Sequence, residues 1–270
     1  MGQAMEVVAG FVTAPGATLT ALTMAAGSSL TIRNARLDSR VFLLNAWADW
    51  QTAGVFQLRS PKLHDNVRGL RFRGFASEVK PLMPKRSRQP LVPQDTLVGE
   101  LSGSATAGDI ETGAFMVWYE DLPGAEGRYV SAQEVWDRGV EVATIENLLA
   151  LGTAGGFSGE EAINAEQDLL KANTDYALIG YLVDAEAALI RWRGADTANL
   201  GIGGPGDELG RDYTASWFLD LSKAWDLPLV PVFNSANKGG ILIDGVQDEN
   251  GTDVTVTSIL VELAPGGLRR

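Results

Sequence analysis

The chain has no cysteine and only one histidine, His64. The first absence excludes disulfides, zinc-thiolate sites, iron–sulfur clusters and cysteine nucleophiles. The second excludes any site that draws two or more histidines from one chain, which removes ordinary metal-dependent cupins and most zinc hydrolases. Long apolar runs are also missing. No stretch is long enough to cross a bilayer as a helix, and the amino terminus lacks a charged-then-apolar signal region. A soluble product without Sec-type export is the expectation. Positive charge is in short supply, with 22 Lys and Arg against 34 Asp and Glu and a net charge of -12. That imbalance opposes loose nucleic-acid binding over the surface as a whole.

Hydrophobic residues make up 45% of the 270 positions, enough to bury one large core or two modest ones. With 31 glycines and 11 prolines, the chain is broken into short elements joined by turns. A repeat favours two cores. Pro90-Leu91-Val92-Pro93, a polar stretch, the apolar run 115–119 and Glu120-Asp121-Leu122-Pro123-Gly124 return as Pro228-Leu229-Val230-Pro231, a polar stretch and 258–263 ahead of Ala264-Pro265-Gly266. Upstream, 41–49 matches 177–184, 55–59 matches 188–193, and Glu6-Val7-Val8-Ala9 matches Glu141-Val142-Ala143. The copies lie about 135 to 140 residues apart, far more than the roughly 20 to 50 of a solenoid repeat. The expected organisation is a first domain over 1–128, a linker with a short helix over 129–140, and a second domain over 141–270.

Short or alternating apolar runs rich in β-branched and aromatic residues, bounded by Gly, Pro, Asn or Asp, dominate both copies. This period of two marks strands. The pattern predicts strands over 5–13, 29–34, 40–50, 54–60, 67–75, 96–102 and 114–121, then over 140–145, 176–183, 187–193, 228–234, 240–244 and 254–263. So many short strands per unit imply an all-β sandwich or barrel with a few short helices in loops. Ser131 with Glu134, flanked by Val130 and Val135, predicts a capped helix that Gly139 stops. Ser158 with Glu161 predicts another. Trp217, Phe218, Leu221, Ala224 and Trp225 share one helical face and predict a third.

No catalytic constellation stands out. Gly201-Ile202-Gly203-Gly204-Pro205-Gly206 satisfies the dinucleotide string, but Pro205 removes an amide and no βαβ unit surrounds it, so a flexible inter-strand loop is expected. The cluster over 248–253 could offer oxygen ligands to calcium, yet Asn250-Gly251 reads equally as the tip of a hairpin. His64 sits in a charged loop without a nucleophile elbow. The seven tryptophans are expected in core or interface, since Trp47, Trp118, Trp192 and Trp217 lie within apolar runs. One charge feature remains. Over 59–88 nine basic residues face two acids, a local +7 that leaves the rest of the chain at -19. Its simple reading is a solvated loop and strand edge. Its functional reading is a contact, inter-subunit or on an inner face, through Arg68, Arg71, Arg73, Lys85, Arg86 and Arg88.

Two tandem all-β units of similar size, no candidate active site, no cysteine and an acidic balance together resemble the double jelly-roll major capsid proteins of tailless icosahedral viruses, including membrane-containing bacteriophages. The resemblance spans 6–267 and lies in architecture and size. It implies two jelly-roll domains related by duplication and a non-enzymatic, structural virion protein with no cofactor. It also implies a homotrimer of pseudo-hexagonal outline that tiles a shell with neighbouring capsomers. Minor capsid or vertex proteins are implied as further partners, as is an internal membrane or genome reached through the basic stretch. Such a protein is made in the host cytoplasm and resides in the virion. Two other readings stay open: a two-module carbohydrate-binding or adhesin protein of a phage, and an enzyme on a double β-sandwich scaffold.

Overall fold

The computed structural model describes residues 2–33, 40–76, 79, 81–83, 87, 89–152, 154–185, 187–206, 210–247 and 253–265. Its first half contains β1 (Ala4–Thr13), β2 (Thr20–Ala21), β3 (Thr23–Met24), β4 (Val41–Asp49), β5 (Gly54–Arg59), β6 (Leu70–Gly74), β7 (Gln89–Leu91), β8 (Val98–Ser102) and β9 (Ile110–Tyr119). Then come β10 (Tyr129–Val130), α1 (Ala132–Arg138), β11 (Gly139–Ala150), β12 (Phe157–Ala162), β13 (Asp175–Val183), β14 (Ala187–Arg193) and β15 (Ile202–Gly206). The chain continues through α2 (Arg211–Thr214), α3 (Trp217–Trp225), β16 (Val230–Asn234), β17 (Leu242–Val246) and β18 (Asp253–Leu263).

These strands form four antiparallel sheets, ordered β3-β1-β9-β4-β7, β2-β8-β5-β6, β10-β16-β13-β18-β11 and β12-β17-β14-β15. Setting aside the two-residue edge pieces β3 and β10, each half contributes eight strands. In both halves the first, eighth, third and sixth form one sheet, and the second, seventh, fourth and fifth form the other. This is the jelly-roll order, two Greek keys rolled into a two-sheet sandwich. The duplication legible in sequence is thus a duplication of topology. Even an irregularity recurs: the third strand bulges against the eighth between Leu43 and Asn45 in one unit and between Leu178 and Gly180 in the other.

Alternation explains where the core sits. In β1, Ala4, Val8 and Val12 point into the first sandwich, while Met5, Val7 and Ala9 join the core of the second unit. β9 does the same, with Phe115, Val117 and Tyr119 on one side and Ala114, Met116 and Trp118 on the other. The first sheet of unit 1 therefore lies between its own partner sheet and unit 2, buried on both faces. Tryptophans lock that seam. Trp47 donates its Nε1–H to the Ala188 carbonyl at 3.1 Å and meets Trp217 edge-on, with ring centroids 6.0 Å apart. Phe42 packs on Trp225, and Trp118 packs on Tyr129.

Helix α1 starts as expected: Ser131 Oγ accepts the Glu134 N–H at 3.1 Å, Val130 and Val135 are buried, and Gly139 leaves the helix in an extended conformation. α3 likewise buries Trp217, Phe218, Leu221 and Trp225. The 129–140 segment is bound into unit 2, since β10 pairs with β16. Two expectations are corrected. The Ser158–Glu161 pattern forms strand β12, because pairing with β17 supplies the backbone partners that a helical first turn would otherwise take from the cap. The glycine-rich 201–206 run is mostly strand β15, buried throughout, rather than a loop. Glycine permits close approach here. A Cβ on Gly203 would lie 2.1 Å from the Ile190 carbonyl, and one on Gly204 would lie 2.4 Å from Tyr181 Oη. The predicted strand over 29–34 reduces to a single bridge between Thr31 and Thr96. The Asn250-Gly251 turn lies outside the described residues.

Candidate assembly surfaces

The outer face of the β2-β8-β5-β6 sheet carries the basic stretch. Phe56, Leu58 and Leu101 are buried in the first core, with Phe72 packed against it, which leaves Gln57, Arg59, Glu100, Arg71 and Arg73 on the opposite face. Register places Glu100, Gln57 and Arg71 abreast. Arg59 donates twice to Glu100, at 2.9 and 2.8 Å, and Gln57 Nε2 donates to Glu100 at 3.2 Å. Arg71 donates to Gln57 Oε1. The hydrogen-bonded Arg59 guanidinium holds the Glu100 carboxyl below the usual carboxylate range. Arg68, Arg71 and Arg73 are exposed along one sheet edge, with Val67 and Phe75 exposed beside them. Lys85, Arg86 and Arg88 lie outside the described residues.

The β5–β6 turn is built to hold that edge. Ser60 Oγ donates to Asp95 at 2.6 Å, and Asp65 accepts the Val67 and Arg68 N–H groups, which lower its pKa. His64 is exposed there with φ at 62°, a turn residue.

Unit 2 has the same ladder, but closed. Arg191 and Asp244 stand abreast where Gln57 and Glu100 do, joined by hydrogen bonds of 2.8 and 2.5 Å. The Arg191 guanidinium lies 3.3 Å from the centroid of the Phe157 ring and is 8% exposed. It faces unit 1 across a polar cleft of about 370 Å³ that Glu6, Arg33, Glu160 and Arg193 also line. The corresponding face of unit 1 buries Gln57 at its centre but leaves Arg71 and Arg73 exposed.

A second open surface lies on unit 2. Strand β11 ends its sheet, and among the described residues it pairs only with β18. Val140, Val142 and Leu148 are exposed along it, and Trp136 of α1 is 83% exposed beside it. Trp136, Val140 and Val142, together with Leu219, Leu227 and Pro228, line an apolar groove of about 780 Å³. Sequence reasoning did not single this groove out. The available signal was Trp136, which falls off the α1 face that buries Val135. Among the described residues no group of three or more Asp, Glu or His side chains lies together as a metal site.

Fold and surfaces define an all-β chain of two jelly-roll units, with a cationic, exposed β6 edge on unit 1 and an open β11 edge on unit 2. No protein-family model matches the chain, and no curated protein matches it in sequence. Among solved structures it is similar to the PBSX exported protein XepA, at 9% identity and a TM-score of 0.29 over 94% of this chain and 86% of that one. It is also similar to the mosquito-larvicidal Cry4Aa toxin of Bacillus thuringiensis, at 9% identity and a TM-score of 0.13 over 96% of this chain and 51% of the toxin. Likenesses this loose carry no inference about its role.

Proposed function

We propose that this chain is a structural virion protein, a major capsid protein that trimerises into pseudo-hexameric capsomers and builds an icosahedral shell. One observation carries the reading. Two jelly rolls of identical strand order pack in one direction within the chain, so that the outer face of the first sheet of unit 1 sits on α3, β10 and the β14–β15 strands of unit 2. Such a contact is heterologous, and a heterologous contact that repeats with the right rotation closes into a ring. Three chains then present six similar wedges. The wild-type chain is expected to sediment as a trimer or larger symmetric assembly and to show ring-like particles in negative stain. A strictly monomeric profile over a wide concentration range would sink the proposal.

The exposed Trp136 beside its groove favours a second reading, a two-module glycan-binding protein, because exposed indole rings stack on sugar faces. Calorimetry against glycans separates the two. Binding that disappears in Trp136→Ala, in a chain that stays monomeric, supports the glycan reading.

A further inference from the structure

We infer that the open edge of β11 and the groove beside it receive the β5–β6 turn and strand β6 of a second copy of this chain, repeating between chains the contact that β1 makes with unit 2 within one chain. This rests on the assembly reading above and names its interface.

The internal contact supplies the template. Along the outer edge of β1, the Met5 N–H donates to Tyr129 Oη at 3.1 Å, Val7 donates to the Gly201 carbonyl at 2.8 Å, and Ala9 donates to Ser28 Oγ at 3.1 Å. Further along, β3 pairs with Gly10 and Phe11. The edge is fully satisfied. Its acceptor from unit 2, Gly201, is the residue immediately before β15.

β11 is the corresponding strand, and Glu141-Val142 corresponds to Glu6-Val7. Leu148 donates its N–H sideways to Glu166 at 3.4 Å. By the alternation of an antiparallel ladder, Val142, Thr144 and Glu146 turn their N–H groups the same way. Those three find no acceptor among the described residues. A long, apolar, unpaired edge of this kind is a template for another strand.

The occupant follows from the same correspondence. The residue immediately before β6, matching Gly201, is Gly69. Its φ of 51° and the Leu58 carbonyl, 2.0 Å from where a Cβ would sit, both require glycine. Around Gly69 stand Arg68, Arg71 and Arg73 with the exposed Val67 and Phe75. Around β11 stand the exposed Glu146 and the pair Glu141 and Glu262, which share Lys171, beside the apolar groove. Cationic edge meets acidic edge, and apolar side chains meet an apolar groove. The two surfaces differ from each other, so the contact propagates in one direction and can close a ring.

The absence of cysteine makes a direct test clean. Arg68→Cys and Val142→Cys chains, mixed and oxidised, are expected to form a mixed disulfide dimer, because the bond needs Cα atoms within about 7 Å. The exposed control Leu169→Cys, mixed with Arg68→Cys, is expected not to. In sedimentation, Arg71→Glu with Arg73→Glu should weaken assembly roughly tenfold or more, as should Glu141→Lys with Glu146→Lys, while the chain carrying all four substitutions restores it. Circular dichroism checks that each variant folds. If wild type assembles while all these variants assemble equally well and no mixed disulfide forms, this interface is wrong and the assembly reading stands. If Trp136→Asp with Val142→Asp disperses the assembly but the arginine variant does not, the groove has another occupant and the inference fails. A monomeric wild type removes both readings.

Discussion

Arg191 and Asp244 form a bidentate pair with side chains 10% and 4% exposed. Removing one partner leaves the other charged and buried, so Arg191→Ala is expected to cost about 3–5 kcal/mol in urea unfolding. The Arg59–Glu100 pair on the open sheet is better solvated and its loss should cost nearer 1 kcal/mol. Its pH dependence has a definite sign. Glu100 has a depressed pKa in the folded state, so its contribution is present above the ordinary carboxylate range and is lost as pH falls through the lower folded value. The stability difference between wild type and Glu100→Gln should therefore be largest near neutrality and shrink as pH falls below the ordinary carboxylate range. If denaturant midpoints show a gap unchanged by pH, the ion pair is not its source. Of the arginines picked out by sequence, Arg71 and Arg73 share one face because β6 alternates, a local fact legible in the order of residues, while Arg68 is exposed in the turn just before that strand.

At the scale of elements, two Ser-x-x-Glu patterns met different fates. Ser131 caps α1, and Ser131→Ala should lower stability by about 1 kcal/mol, measurable by thermal or urea unfolding. Ser158 lies in β12, where Phe157 and Ser158 pair with Val246 and Gly245, so Ser158→Ala should show no capping loss. Local capping chemistry was identical, and a waiting sheet partner decided the outcome. β15 was hidden for a related reason. Its Ile-Gly-Gly-Pro-Gly run lacks side-chain alternation, and only the crowding of Ile190, Tyr181 and Trp217 explains why glycines form that strand. Long strands such as β4, β9 and β18 were legible because their apolar runs exceed what turns tolerate.

For the whole molecule, the seam between units carries a consequence. Residues 1–128 alone would expose Met5, Val7, Phe42, Trp47 and Trp118, the face now sealed by unit 2. That fragment is expected to aggregate or bind a hydrophobic dye strongly, whereas the full chain does not. A well-behaved, dye-silent fragment would show that the seam is dispensable. The sequence by itself determined that there are two similar β-rich units, that one helix is capped at Ser131, and that an acidic chain carries one basic stretch. Only the tertiary structure decided the strand order, the double burial of the first sheet, and the contrast between the covered edge of β1 and the open edge of β11. The reason is physical: alternation along a strand records that a face is buried, while the identity of what buries it depends on residues more than a hundred positions away.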